Sequence, residues 1–490
     1  MSPVFDEAKY RALLEKLEVS EVRYSNTCIE NNISRFDAEF YQKIYFEAEQ
    51  KVKANSWVTL KQLNVCLDCS AFYPSVANDY NFNSIGVPFL RVNEIIDGKI
   101  IFSGNTAFLP ESLIKEYNDT IRLAYNNDIL IAKGGNTAGK VGFISNKYAY
   151  YATCRDVVIL RTNKISKINP QILSLYLQCD FGKLLIEKTI SQTGQPHLTL
   201  PLLERLPIPL VLEKIQYGIK KCTDLSIQCS EKSNNIYVES EQLLLQELGL
   251  TDWQPDDESV ATKTFADFQN SGRLDAEYHQ PKYDDLFKRI SSYDKSRLGD
   301  IVNITKSIEP GSEAYQEDGV PFVRVSDITK FGITPPEIHL DRDKYYSENL
   351  TPKKDTILLS KDGSVGIAYK VENDLDVITS GALLHLTVKN NDFLPDYLTL
   401  VLNSIVVKLQ AERDAGGSII QHWKPSEIEN VIIPKLPKAV QNQIAEKVRE
   451  SFALRKESKR LLDLAKHAVE AAIEQGEEVA MKLMERCKDA

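Results

Sequence analysis

Apolar positions along the chain follow two patterns, and the pair of patterns occurs twice. Short Val, Ile, Phe and Tyr runs broken by Gly, Asn, Asp and Pro predict β-strands joined by turns. VPFLRV from Val87, DILIAK from Asp128, KVGFIS from Lys140 and VVILRT from Val157 are the clearest of these. A helical stretch follows from Gln171 to Thr189, then a turn rich in Gly and Gln, then a long helix. The long helix is plainest beyond Gln441, where Ile444, Val448, Ser451, Arg455, Ser458, Leu462, Ala465, Val469 and Ala472 step by four and three. That is the spacing of a coiled-coil seam. Ile219, Thr223, Ser226, Ser230, Ser233, Tyr237, Ser240 and Leu244 repeat it earlier in the chain. Small and polar residues in mid-seam make a poor oligomerising zipper but allow two helices to approach closely. The predicted partners are therefore this chain's own two helices, packed antiparallel.

The recurrence extends to the residues themselves. GVPFLRVNEI, Gly86 to Ile95, returns as GVPFVRVSDI, Gly319 to Ile328, at an offset of 233 positions. SRFDAEFYQ from Ser34 answers to GRLDAEYHQ from Gly272 at 238, and Lys133 to Lys361 at 228. From Pro170 and Pro395 the offset settles at 225, through LPIP ending at Pro209 and VIIP ending at Pro434. Frame segments agree while the residues between them differ in identity and length, as expected of a duplicated scaffold with two different variable surfaces. Helices of about 30 residues would be roughly 45 Å long. B-DNA advances roughly 34 Å per turn, so readers at the two ends of such a spacer would meet DNA about a turn apart.

At this point the chain resembles the DNA specificity subunits of type I restriction-modification systems, and the resemblance covers almost its whole length. Its carriers are the paired GVPFLRVNEI and GVPFVRVSDI, the paired AKGGNTAG and SKDGSVG, the turns TGQPHL and GGSIIQHW before LPIP and VIIP, and the two long helices. The resemblance implies an α+β fold: two target recognition domains in tandem, separated by two long antiparallel coiled-coil helices with pseudo-two-fold symmetry. The expected division is a lead-in over 1–33, a first recognition domain over 34–209 and a first spacer helix over 210–250. A linker over 251–271, a second recognition domain over 272–434 and a second spacer helix and tail over 435–490 complete it. Each domain would read half of an asymmetric, gapped site in double-stranded DNA. The helices would recruit two N6-adenine methyltransferase subunits, and a motor-nuclease subunit could join. S-adenosylmethionine, ATP and Mg would belong to those partners, with no cofactor or metal in this chain. The other reading is a solitary or decoy scaffold in another anti-phage system, binding DNA or protein without delivering methylation.

Composition narrows the field without deciding it. A chain of 490 residues is too long for one core and should form two or more domains. The start MSPVFDEAKY has no basic-then-apolar segment, and no run of 18 apolar residues occurs, so the expected address is the cytoplasm; the resemblance implies a bacterial or archaeal cell. The net charge of −10 argues against a polyanionic partner, but 133–167 and 342–370 are rich in Lys and Arg. Of eight cysteines only Cys66 and Cys69 form a close pair, short of a zinc site, and reduced thiols are expected throughout.

The search for chemistry points away from an enzyme. GGNTAGKV, Gly134 to Val141, fits a phosphate-loop spacing, but Val141 replaces the magnesium-binding Ser or Thr and VGFIS reads as a strand. A turn presenting amides with Lys133, Asn136, Thr137 and Lys140 to a DNA phosphate explains these residues better. No HExxH and no Asn-Pro-Pro-aromatic signature occurs. In the second copy Lys361 and Ser364 are the matching phosphate candidates. Gln195 and His197, with Gln421, His422, Trp423 and Lys424 opposite them, are candidates for base or backbone contact, against the alternative of helix-to-strand punctuation. Ile219, Tyr237, Leu244, Ile444, Val448, Leu462, Ala465 and Val469 are the candidate seam. Arg91 and Arg324, inside apolar runs, should be structural, paired with Glu94 and Asp327 three residues on, with DNA contact as the other reading. Asp37 with Glu39, and Asp275 with Glu277, invite a metal reading but sit where helix capping and packing explain them.

Overall fold

The structure, a computed structural model, describes residues 6–14, 20–22, 28–29, 33–35, 37–71, 73–102, 105–145, 147–191, 196–255, 258, 260–416 and 421–489. It divides into two compact units, Met1–Ile227 with Ser458–Ala490, and Gln228–Glu457.

In the first unit a six-stranded sheet runs in the order Cys66–Cys69, Val157–Arg161, Ile129–Ala132, Val141–Phe143, Gly98–Ile100, Ile95–Ile96. A four-stranded sheet orders Ala107–Leu109, Val87–Leu90, Tyr151–Thr153, Leu123–Ala124. The four residues Ile129 to Ala132 are all 0% exposed, which is why this run is continuously apolar rather than alternating. In the second unit the corresponding sheet orders Val302–Lys306, Leu383–Val388, Ile357–Ser360, Ala368–Lys370. A smaller sheet orders His339–Leu340, Val320–Val323, Ile378–Thr379. Ile129–Ala132 and Ile357–Ser360 thus hold the same place, each between two antiparallel partners.

The single helix expected from Gln171 is two, Pro170–Gln178 and Asp180–Glu187. Cys179 is extended (φ −72°, ψ 168°), and the second helix folds back so closely that a Cβ on Gly182 would lie 2.0 Å from the Tyr176 carbonyl oxygen. Ser404 breaks the second copy in the same way, between Pro395–Asn403 and Ile405–Asp414.

The long helices are Val211–Glu247 and Lys438–Glu474, 37 residues each. Gly249 (φ 64°) and Gly476 (φ 92°) follow them in conformations that suit glycine. Each unit contains part of both helices, joined by hydroxyls rather than by a leucine zipper. In the first, the Oγ atoms of Ser226 and Ser458 each donate to the other residue's carbonyl oxygen at 2.7 Å. In the second, Ser233 and Ser451 do the same at 2.8 Å. Each buried hydroxyl is satisfied, and its small size brings the backbones together. Ile219, Tyr237, Leu244, Ile444, Val448, Ala465 and Val469 are buried along this seam. Leu462 is a correction: it is half-buried, while Leu461 is 0% exposed.

Cys222 and Cys487 form a disulfide, Cα to Cα 5.9 Å, where reduced thiols were expected. Both are buried, one on the first long helix and one in the last turn of the chain, so folding itself brings them together. Cys66 and Cys69 are free, and no metal-binding cluster of His, Cys, Asp and Glu exists among the described residues. No helix among the described residues is long and apolar enough to cross a membrane.

Candidate nucleic-acid interface

In each copy the buried strand ends in a tight loop, and the turn after the two short helices closes against it. The first loop is clasped by Ala132 N donating to Lys140 O and Gly139 N to Ala132 O, both 2.9 Å. The second is clasped by Ser360 N to Ile367 O and Gly366 N to Ser360 O, both 2.9 Å, and is one residue shorter. Across to the turn, Gly135 N donates to Pro196 O at 3.2 Å and Leu198 N to Lys133 O at 2.8 Å. The second copy repeats these bonds with Gly363 N to Gln421 O at 2.9 Å and Trp423 N to Lys361 O at 2.8 Å. Gly135 and Gly363 both have φ 72°, and a side chain on either would meet open space, so the left-handed backbone is the requirement there.

The two groups of candidates thus gather into one patch per copy: Lys133, Thr137 and Lys140 with His197, and Lys361 and Ser364 with Gln421, His422 and Lys424. Gln195 and the side chain of Asn136 lie outside the described residues. Lys140 and His197 are exposed, and Lys133 and Thr137 half-buried. Neither lysine makes an ion pair among the described residues. Gly134 leaves room for the imidazole, since a Cβ there would stand 2.9 Å from the His197 ring.

The second copy fills that space with a charge. Asp362 stands where Gly134 does; its Oδ1 is 2.8 Å from His422 Nδ1, and its Oδ2 binds Lys361 Nζ. Burial pushes the Asp362 carboxyl up, but Lys361 and His422 outweigh it and hold the group below the ordinary carboxylate range. Lys361, 13% exposed, is therefore occupied within the protein, and Lys424 pairs with Glu427 at 3.2 Å. Ser364, Gln421 and His422 remain exposed. Trp423 is a correction. It is 1% exposed within the core of the second unit, and its counterpart Leu198 is 4% exposed, so both residues hold the turn from beneath.

A support that sequence reasoning did not assign lies under each patch. Arg35 Nε binds Asp37 at 2.5 Å and Arg273 Nε binds Asp275 at 2.6 Å. The same guanidiniums reach the carbonyls of Ile190 (3.4 Å), in the short strand after one helix, and Asp414 (3.3 Å), the last residue of the other, both on the way into the turns. They stack on Phe40 (4.8 Å) and Tyr278 (5.0 Å). The arginines hold both Asp carboxyls below their usual range, and neither side chain caps its short helix, as had been expected. The signal was in the repeat, which duplicates the arginine and the aromatic as well as the acid.

Some of the basic residues in the two stretches are paired within their own domain. Arg161 binds Asp68 and Asp128 at 2.8 Å, Lys370 binds Asp396 at 2.6 Å, and Arg342 pairs with Asp376. Arg91 binds Glu94 at 3.0 Å, and Arg324 lies 3.6 Å from Asp327. The segment after GGNTAGK is a strand, Val141–Phe143, not the helix that a phosphate loop opens.

A family model described as the type I restriction modification DNA specificity domain matches residues 81–235 and 290–460, more than half of the chain. No curated protein matches. Among solved structures, the S subunit of a type I restriction-modification system from M. genitalium matches with 13% identity and a TM-score of 0.32, over 88% of this chain and 96% of that one. The HsdS subunit from Thermoanaerobacter tengcongensis matches with 14% identity and a TM-score of 0.27, over 86% and 97%. A chain from a structure titled for complex assembly and conformational transition of the type I R-M system matches with 15% identity and a TM-score of 0.28, over 86% and 98%.

Proposed function

From the premise that this chain belongs to the type I restriction-modification DNA specificity family, we propose that it reads an asymmetric, gapped DNA site with its two loop-and-turn patches, one half-site each. The observation that supports this is the duplicated backbone lattice carrying different side chains around a histidine that both share: Gly134 and Pro196 in one copy, Asp362 and Gln421 in the other. Backbone bonds set the frame, so the side chains are left to differ, as two readers of two sequences require. Lys133 and Lys140, with amides of the first loop, contact phosphate; Ser364 and the loop amides do so in the second copy. Gln195, His197, Gln421 and His422 face base edges or the adjacent backbone.

The spacer helices serve assembly. On this reading they recruit two N6-adenine methyltransferase subunits, and a motor-nuclease subunit joins them. S-adenosylmethionine, ATP and magnesium bind to those partners, and this chain recognises DNA without acting on it. The cell is bacterial or archaeal and the compartment its cytoplasm.

The test is single-molecule sequencing for N6-methyladenine in DNA from cells expressing this chain with its methyltransferase subunit. The expected result is one asymmetric motif with a fixed gap, altered in one half only when 133–140 and 195–197 are exchanged. A stable complex with the methyltransferase and no methylated motif would reject the reading and leave a scaffold without methylation delivery.

A further inference from the structure

Two short hairpins at equivalent places carry opposite chemistry. In the first unit Ile95 pairs with Ile100 and Ile96 with Lys99, around a turn of Asp97 and Gly98. In the second Ile328 pairs with Ile333 and Thr329 with Gly332, around Lys330 and Phe331. The registers coincide, so Asp97 answers to Lys330 and Gly98 to Phe331.

The second turn meets the spacer helix of the first copy. Lys330 Nζ lies 2.9 Å from Glu241 Oε1 and 4.5 Å from the Tyr237 ring centre, both on the first spacer helix. Phe331 packs edge-on against Tyr237 at 4.9 Å. The helix positions that correspond to Glu241 and Tyr237, at the offset of 225, are Lys466 and Leu462. Contacts confirm that offset: Asn169 N bonds Gln216 Oε1 at 3.4 Å, and Leu394 N bonds Gln441 Oε1 at 3.1 Å. In the first unit Lys466 lies within electrostatic range of Asp97, and Gln178 fills the space above Gly98, only 1.8 Å from where a Cβ would be.

The serine seam cannot tell the copies apart. Ser226, Ser233, Ser451 and Ser458 are all the same residue, so a first spacer helix could meet another first spacer helix through them. Discrimination has to come from elsewhere. We propose that the hairpin turns and the helix positions beneath them form a pairing code, keying each domain to the other copy's spacer helix and rejecting the self-pairing of like copies.

In a pair of first copies, Asp97 would face Glu241, and Gly98 would leave Tyr237 uncovered. The bond from Lys51 to Glu474, 2.7 Å, would be lost because Gly249 holds the matching position. So would the bond from Asp180 N to Glu470 Oε1, 3.0 Å, where Leu245 stands instead. In a pair of second copies, Lys330 would face Lys466. There Arg289 replaces Lys51 opposite Glu474, so rejection is stronger for first copies. Like charges brought together at an interface are the usual way to exclude a wrong partner.

The test reads association and not DNA binding, so its outcome is independent of the function proposed above. A protease site is inserted beside Val260, 76% exposed in the linker, and the full chain is cut after folding. Two preparations with different mass tags are mixed under a reductant that opens Cys222–Cys487, which would otherwise tie the two fragments together, left to exchange and weighed by native mass spectrometry. The expected product is exclusively the amino-terminal fragment with the carboxy-terminal fragment. Glu241→Lys, which turns the clash with Asp97 into an attraction, is expected to raise amino-terminal homodimers at least about tenfold. Lys466→Glu does the same for carboxy-terminal homodimers and decides the matter if the first variant misfolds. Homodimers as abundant as mixed pairs in the parent, or no increase in either folded variant, overturns the code.

Discussion

Trp423 separates a residue that reads DNA from one that holds the reader in place. Its indole is 1% exposed in the core of the second unit, beneath the turn whose exposed members are Gln421 and His422. Truncating a fully buried Trp to Ala removes its apolar area and leaves a cavity, at a cost of about 3–5 kcal/mol. For a cooperative unit of roughly 150–250 residues each kcal/mol lowers the melting temperature by about 2–4 °C, so Trp423→Ala should lower that of the second unit by roughly 6–20 °C. Trp423→Phe keeps most of the apolar volume and the backbone bond from residue 423 to Lys361 O, and should leave DNA affinity within about twofold. Calorimetry of the full chain, with a fluorescence titration of the methylated duplex, reads both quantities. A Trp423→Ala protein melting within 2 °C of the parent, or a fully stable Trp423→Phe protein losing more than about tenfold in affinity, would place the indole against DNA and refute the reasoning.

Other perturbations have equally definite outcomes. Asp396→Ala removes the carboxylate that holds Lys370 at 2.6 Å and Arg449 at 2.8 Å, leaving Lys370, 8% exposed, with only weaker partners. Loss of one member of a buried pair should cost about 3–5 kcal/mol in urea unfolding, and a cost under about 1 kcal/mol would show that the site is hydrated. His385 is held neutral by burial, which pushes its pKa down to about 4, and its Nε2 lies 2.8 Å from Thr379 Oγ1. The unfolded chain therefore binds the proton first: the stability is complete above about 6.5 and is lost as pH falls toward 4, on the order of 3 kcal/mol in all. His385→Gln should flatten that acid slope in unfolding measured between pH 7 and 4, and an unchanged slope would assign it to other groups. Lys140→Ala should reduce the slope of log affinity against log salt by about 0.9, equally on every DNA sequence, and a sequence-dependent loss would make Lys140 a base reader.

Duplication made the scaffold legible. The strands around Ile129 and Ile357, the turns before Pro209 and Pro434 and both spacer helices follow from period and repeat alone, because a buried strand is apolar throughout and a buried helix face recurs every three or four residues. What was not legible depended on the third dimension. No local pattern tells that Cys179 and Ser404 leave the helix: Gly182 admits the close return in the first copy, but Val407 stands at the matching position in the second. Lys361 looks like Lys133 in one dimension, and only the fold brings Asp362 between it and His422. The burial of Trp423 could have been found, because its counterpart is Leu198 and a base-contacting position has no reason to be leucine in the other copy. Arg35 and Arg273 were passed over for the acids beside them, although the aromatics at Phe40 and Tyr278 repeat in step with the arginines.

On the function proposed above, these features explain how one frame can serve two readers. The bonds between loop and turn that both copies share are backbone to backbone, and the arginine supports below bind carbonyl oxygens, which every residue has. Substitution at 134 or 197 therefore changes the chemistry presented without removing a shared bond of the frame, and substitution at 362 or 422 removes only the Asp362–His422 pair added to it. The frame does constrain positions 135 and 363, where the left-handed backbone asks for glycine, and 198 and 423, where an apolar side chain fills the space below. Variation should accordingly concentrate between these fixed points, on the residues that project from the patch. A change of specificity confined to one copy then requires no compensation in the other, because the two patches are built from separate sheets, separate arginine supports and separate cores.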